Sequence, residues 1–222
     1  RVQCPHGRAG EPVTHAHSRF VCAGCGAEPA ADALPFRCPN ADAGGDVDHV
    51  LRREIAGRVR FPADVSEPNP FIRYRTLLHA YHVAIAGGMS DDAFCGFVRA
   101  FDERVATVDG HGFVDTPFER AGLLSDKLGF SAGGGIWVKN ETGNVSGSHK
   151  ARHLFGVLVY LEVLERLGRG GARPDLAIAS CGNAALAAAV VAAAGRRRLQ
   201  VFVPVDADPI VLARLEDWLK GR

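Results

Sequence analysis

From about position 116 onward, short apolar runs and longer apolar stripes take turns along the chain. Ile136-Trp137-Val138, Leu176 to Ala179 and Leu199 to Val203 read as strands. Lys150 to Leu167 reads as a long helix, apolar on most sides and so expected to be buried. Gly168-Arg169-Gly170-Gly171 breaks it. Ala184 to Ala194 is an alanine-rich helix stopped by Gly195, and Pro209 to Leu219 is a last helix. Thr116-Pro117-Phe118-Glu119 predicts one more helix start, with Thr116 as cap, Pro117 at the first position and Glu119 completing a capping box. That helix should end near Gly129. Alternating strands and helices predict an α/β fold, a parallel twisted sheet flanked by helices.

Upstream the pattern differs. Val47, Val50, Leu51 and Ile55 recur at three- and four-residue steps and predict a helix. Phe61 to Pro70 holds three prolines and reads as a linker. Two amphipathic helices follow, from about Phe71 to Ile85 and, capped by Ser90, to about Val108. Residues 1–45 show little periodicity and hold four of the six cysteines. The expected organisation is a Cys-rich ribbon-like module over 1–45, a helical segment over 46–115 and an α/β domain over 116–222.

Composition narrows the classes. Hydrophobic residues make up 47% and charged residues 23%, which suits a folded globular chain. The net charge of +1 argues against a nucleic-acid or acidic-membrane partner. The longest apolar run, Ala184 to Ala194, is too short to span a bilayer, and no signal peptide is read at Cys4-Pro5-His6. The expected compartment is cytoplasmic, where cysteines are thiols or metal ligands.

Candidate chemistry centres on Ser146-Gly147-Ser148-His149-Lys150-Ala151-Arg152, a polar loop that opens a helix. Lys150 stands at the positive end of the helix dipole. There, with the burial expected of this helix, its proton should be easily lost, which makes a nucleophile able to form a Schiff base. Taken alone, a solvated first-turn lysine is the commoner outcome. Ser180-Cys181-Gly182-Asn183 follows a strand and opens the next helix, so backbone N–H groups and the Asn183 amide face any ligand there. In an open α/β sheet both loops project to the carboxyl edge of the strands.

Together these segments resemble fold type II pyridoxal-phosphate (PLP) enzymes, the group of tryptophan synthase β chains, threonine synthase, threonine dehydratase and cysteine synthase. Thr116-Pro117 resembles the family's helix entry, and Val138-Lys139-Asn140-Glu141 its Lys-x-Glu segment. Gly147-Ser148-His149-Lys150 resembles Gly-Ser-x-Lys, and Ser180-Cys181-Gly182-Asn183 resembles Ser-x-Gly-Asn. The resemblance covers about Thr116 to Arg222. It implies that Lys150 is catalytic, holding the cofactor and moving the substrate α-proton. It implies that Ser148 and Asn183 bind the cofactor, with Asn183 on its 3′-oxygen. It implies that Ser180, Cys181, Gly182 and Asn183 bind the substrate carboxylate. Ala151 stands where threonine and cysteine synthases carry Asp. His149 is closer to the tryptophan synthase β pattern and is expected to pack rather than act as a base.

The resemblance also implies a later glycine-rich phosphate loop and a partner to the pyridine nitrogen. Gly133-Gly134-Gly135 reads only as a turn before a strand. A chain running from Arg1 to Arg222 is therefore expected to be a fragment that binds PLP weakly by itself. A homodimer is a family-level expectation. Cys22-Ala23-Gly24-Cys25 is a knuckle, and with Cys4 and Cys38 it offers four thiolates to a structural zinc. The outer knuckles are halved, with Gly7 and Ala41 at the second positions and His6 as a substitute. His15, His17, His79, His82 and His111 show no ligand spacing, and Cys95 reads as a buried small hydrophobe. Some threonine synthase-like proteins carry a short cysteine module of this kind. The leading expectation is thus a PLP-dependent lyase or synthase of threonine synthase type, acting on a phosphorylated homoserine. A related dehydratase, cysteine synthase or cysteate synthase-like enzyme is the alternative. Outside this class stand a non-catalytic zinc-ribbon binding protein and a pseudoenzyme.

Overall fold

The computed structural model describes residues 17–30, 32, 34, 36–42, 44–57, 59, 61–62, 66–169 and 173–219. The chain divides into two compact units, Arg1–Phe101 with Gly156–Pro174, and Asp102–Phe155 with Asp175–Arg222.

In the first unit, β1 (His17–Cys22) pairs antiparallel with β2 (Leu51–Ala56), with Arg19 opposite Glu54 and Cys22 opposite Leu51. The helix expected from Val47 is therefore corrected: residues 51–56 are a strand. Its apolar positions, Leu51 and Ile55, are only half-buried. What holds it is the ladder and a cross-strand ion pair, Arg19 Nη2 to Glu54 Oε2 at 2.9 Å. A partner strand 29 to 39 positions away, Cys22 to Leu51 and His17 to Ala56, outweighs the local three- and four-residue spacing.

The single helix expected over Phe71 to Ile85 is broken in two. α1 (Pro70–Arg73) is capped by the Asn69 side chain, which accepts from Phe71 N at 2.9 Å. A 3-10 turn over Arg75–Leu77 then leads into α2 (His79–Ala86). Side chains take the carbonyls that a continuous helix would have given to its own N–H groups. Arg75 Nη1 donates to Ile72 O at 2.9 Å, and the His82 ring bonds Thr76 O at 2.9 Å. Arg75 is anchored in turn on Asp91, at 2.6 Å and 2.9 Å. α3 (Asp91–Asp109) begins as expected, with Ser90 Oγ accepting from Ala93 N at 3.2 Å, and Cys95 within it is fully buried. The aromatic core of this unit gathers around buried His79. Phe20 meets its ring edge-on at 4.6 Å, Tyr160 lies at 5.4 Å, and Ser18 Oγ bonds its Nδ1 at 3.0 Å.

In the second unit, β3 (Phe118–Arg120) pairs antiparallel with β4 (Trp137–Lys139). This corrects two expectations. Thr116 to Glu119 does not start a helix, and the strand at 136–138 does not join the parallel sheet. The Thr116 hydroxyl donates to Glu141 instead of capping a helix, so the capping box with Glu119 never forms. α4 (Gly122–Lys127) starts later and closes at Gly129, whose φ of 76° explains the glycine.

α5 (Lys150–Arg166), β5 (Leu176–Ala179), α6 (Asn183–Ala194), β6 (Leu199–Phe202) and α7 (Pro209–Leu219) follow the expected order, within about a residue of the expected bounds. β5 and β6 are parallel, Leu176 opposite Leu199 and Ala179 opposite Phe202. Among the described residues parallel pairing is confined to these two strands, so the expected sheet is present as one βαβ unit. α6 and α7 cover one of its faces. Ala185, Leu186, Ala189 and Leu215 form the buried centre, with Leu199, Val201 and Trp218 packed against it. The opposite face, with Ala177, Ala179 and Phe202, is exposed.

Candidate functional site

Lys150 is the first residue of α5 and lies in the second unit, as do Ser180 to Asn183. Ser148 is buried, and its hydroxyl accepts from the Lys150 backbone N–H at 3.3 Å, closing the first turn. The helix turns Ala151 and Phe155 into the interior, where the Phe155 ring lies 4.7 Å from Phe113. Lys150 itself is exposed, which corrects the expectation that the helix would bury it. His149, expected to pack, is exposed as well. The Lys150 ammonium makes no hydrogen bond or ion pair among the described residues. The chain has four lysines, and Lys139 is tied down by contrast: its Nζ donates to Thr116 O and lies 3.7 Å from Glu141.

The loop that carries Lys150 is held by a network that motif reading left without a role. Arg152 Nε donates to Glu141 Oε2 at 2.9 Å, and its Nη2 reaches Val114 O at 3.0 Å and Thr116 Oγ1 at 3.3 Å. Glu141 also accepts from the buried Thr116 hydroxyl. Burial pushes the Glu141 carboxyl up, but the bonds from Arg152 and Thr116 outweigh it and hold the group below the usual carboxylate range. The Thr-Pro, Lys-x-Glu and Lys-x-Arg segments, dispersed over 36 positions from Thr116 to Arg152, thus meet at one carboxylate. Arg152 was the legible missing member: an arginine two residues past the candidate lysine, with an unassigned glutamate upstream.

Between Glu141 and Lys150 the backbone is strained. Ser146 has φ 56°, a conformation disfavoured for a residue with a Cβ, and costs about 1–3 kcal/mol. Asp109 compensates in part by accepting from Ser146 N at 3.0 Å, and Asn144 Nδ2 donates to Ser148 O at 2.6 Å. Two buried atoms of this loop, Asn144 Oδ1 and Ser146 Oγ, have no hydrogen-bond partner. These orphaned polar atoms lie on the strained turn that leads into α5.

The second loop is simpler. Ser180 N extends the ladder to Phe202 O at 3.1 Å, which sets the loop at the carboxyl end of β5. Ser180 Oγ accepts from Gly182 N at 3.4 Å. Cys181 and Asn183 are exposed, and a side chain at Gly182 would meet nothing within 4 Å, so the space before α6 is open. α6 packs on the turn Val145–Gly147. Among the described residues no hydrogen bond joins Lys150 directly to Ser180 to Asn183.

Lys150 thus offers an amine with no hydrogen bond or ion pair among the described residues, and the turn before α6 offers open backbone N–H groups at the carboxyl end of β5. Residues 111–218 match the family of pyridoxal-phosphate dependent enzymes. The match covers just under half of the chain and includes Lys150, the Glu141 network and Ser180 to Asn183. Enzymes of this family use pyridoxal 5′-phosphate, and the match supports a PLP-dependent enzyme of fold type II. No curated protein matches the chain. No helix among the described residues is long and apolar enough to cross a membrane.

The residues present fit the cofactor: an unpaired amine, an open approach at Gly182, and spare polar atoms at Asn144 and Ser146. Away from this region, three of the four cysteines expected to bind metal also converge. Cys22, Cys25 and Cys38 lie together, but the fourth member of their group is His49. Cys4 and His6 lie outside the described residues.

Proposed function

We propose that the protein is a PLP-dependent lyase or synthase acting on an amino acid, with Lys150 as its catalytic residue. The observation that carries this reading is the unpaired Lys150 amine at the start of α5, on a loop locked by Glu141 and Arg152. When bound, the cofactor supplies the electron sink that acidifies the substrate Cα–H. Lys150 holds the cofactor and carries the α-proton at Nζ. Asn183 and Ser148 orient the cofactor, Asn183 through its 3′-oxygen. The Ser180 to Asn183 loop and the first N–H groups of α6 bind the substrate carboxylate.

Threonine synthase-like chemistry on a phosphorylated homoserine is the finer reading, supported by the cysteine-rich segment upstream. Ala151, which is completely buried, departs from that pattern. A β-eliminating or β-replacing enzyme is the second reading, favoured by that same departure. Incubation with PLP and O-phosphohomoserine should release phosphate, and Lys150→Ala should abolish the release. Turnover of β-substituted amino acids without phosphate release would move the reading to the second class. Activity retained in Lys150→Ala would overturn it.

A further inference from the structure

We propose that Cys22, Cys25, Cys38 and His49 form a structural zinc site of three thiolates and one imidazole. Their ligand atoms all lie within 4.8 Å of one another. His49 Nδ1 is 3.6 Å from Cys22 Sγ and 3.4 Å from Cys38 Sγ, and Cys25 Sγ is 3.5 Å from Cys38 Sγ. A tetrahedral zinc with Zn–S of about 2.3 Å and Zn–N of about 2.0–2.1 Å sets neighbouring ligand atoms roughly 3.5–3.8 Å apart. The three measured edges fall on or beside that range. A disulfide between Cys25 and Cys38 is not formed.

The backbone around the four ligands is built to bring them together. Cys22 and Cys25 sit on a tight turn closed by Gly26 N to Cys22 O at 2.9 Å and Cys22 N to Ala27 O at 2.9 Å. Ala23 N donates to Val50 O at 2.8 Å, which pins the segment carrying His49 over that turn. The approach is so close that only glycine fits at position 24. A Cβ there would stand 2.4 Å from Asp48 O and 2.6 Å from the Val47 side chain. Asn40 supplies outer support: its backbone N–H points at Cys38 Sγ at 3.4 Å and its Nδ2 at Cys25 Sγ at 3.6 Å. Such N–H to sulfur bonds offset thiolate charge around a metal. Cys22 and Cys38 are buried while the residues around them are mostly exposed, so this segment has little apolar core of its own. Small segments of that kind need a staple.

The ligand spacing is Cys-x2-Cys, then twelve residues to Cys38 and ten more to His49. The set differs from one in which Cys4 is the fourth ligand, and the two are separable. Protein purified with zinc present should carry one zinc per chain by elemental analysis. His49→Ala and Cys38→Ser should lose it, whereas Cys4→Ser and Cys181→Ser should keep it. Because the first two variants can lose zinc by failing to fold, the cobalt-substituted protein gives a second reading. Its absorption should be that of a tetrahedral site with three sulfurs and one nitrogen, and His49→Cys should keep the metal and shift the spectrum to four sulfurs. Zinc retained in His49→Ala but lost in Cys4→Ser would overturn the assignment. So would a protein that takes up no metal, or one in which Cys25 and Cys38 are joined as a disulfide.

Discussion

Around Lys150 the fold leaves a reactive side chain free and locks the loop beneath it, whereas around Cys22 it turns four reactive side chains toward one another. At Lys150 the polar contacts run past the amine, to Glu141, Thr116 and Arg152. At Cys22 the contacts are among the reactive atoms themselves. The difference separates a site that must stay available to a changing partner from one that suits a single permanent occupant. It also says where each should be sensitive. The first should lose function with little loss of structure when its amine is removed. The second should lose structure when any ligand is removed.

The largest effects test that contrast directly. Lys150→Ala should abolish PLP-dependent turnover and leave the thermal transition in place, because the Lys150 side chain is exposed and makes no hydrogen bond or ion pair among the described residues. A transition lost together with activity would erase the distinction. Chelation of zinc should do the reverse to the cysteine region, lowering Tm and opening the β1–β2 pair to hydrogen exchange. Unchanged exchange after metal removal would contradict the structural role.

A smaller effect follows from the lock. Arg152→Met leaves the largely buried Glu141 carboxylate without its main partner, with side-chain exposures of 16% and 25% for Glu141 and Arg152. The loss should be about 1–2 kcal/mol of stability, read from urea unfolding. PLP affinity should fall with it; stability lost without any change in affinity would make Arg152 merely structural. The same lock predicts a pH dependence. The folded Glu141 pKa is below its ordinary value, so its contribution is present above the usual carboxylate range and is lost as pH falls through the lowered pKa. The acid limb of the unfolding curve should flatten in Glu141→Gln, and an unaltered limb would show that the network carries no linkage.

The smallest effect is at the strained turn. Ser146→Gly removes the left-handed penalty and should stabilise by about 1 kcal/mol in thermal unfolding. It also removes a buried hydroxyl without a partner, so PLP binding should weaken slightly. Stabilisation with unchanged binding would leave the strain without a functional reason.

The two regions also differed in how far they could be read from residues alone. Gly147-Ser148-His149-Lys150 and Ser180 to Asn183 are contiguous, and local spacing was enough to place each at a helix start. α6 and α7 were legible for the same reason, since apolar spacing and terminal Gly or Pro set their bounds. The failures share one cause. Thr116 has two possible partners, Glu119 three residues away and Glu141 twenty-five away, and the distant one wins. β2 has a helix-compatible spacing but a partner strand at His17–Cys22. His49 carries no motif of its own and enters the cysteine group only because Ala23 and Gly24 pin its segment in place. The exposure of Lys150 was not legible either, because the apolar stripe of α5 tells which face is buried only from Ala151 onward.

The most direct test of the central claim is to mix the protein with PLP, reduce with borohydride and map the pyridoxyl-lysine by mass spectrometry. Four lysines compete for the label, and Lys139 is already held by Thr116 and Glu141. The predicted result is label on Lys150 in clear excess over Lys127 and Lys220. Label spread evenly over the four lysines, or absent from Lys150, would contradict it.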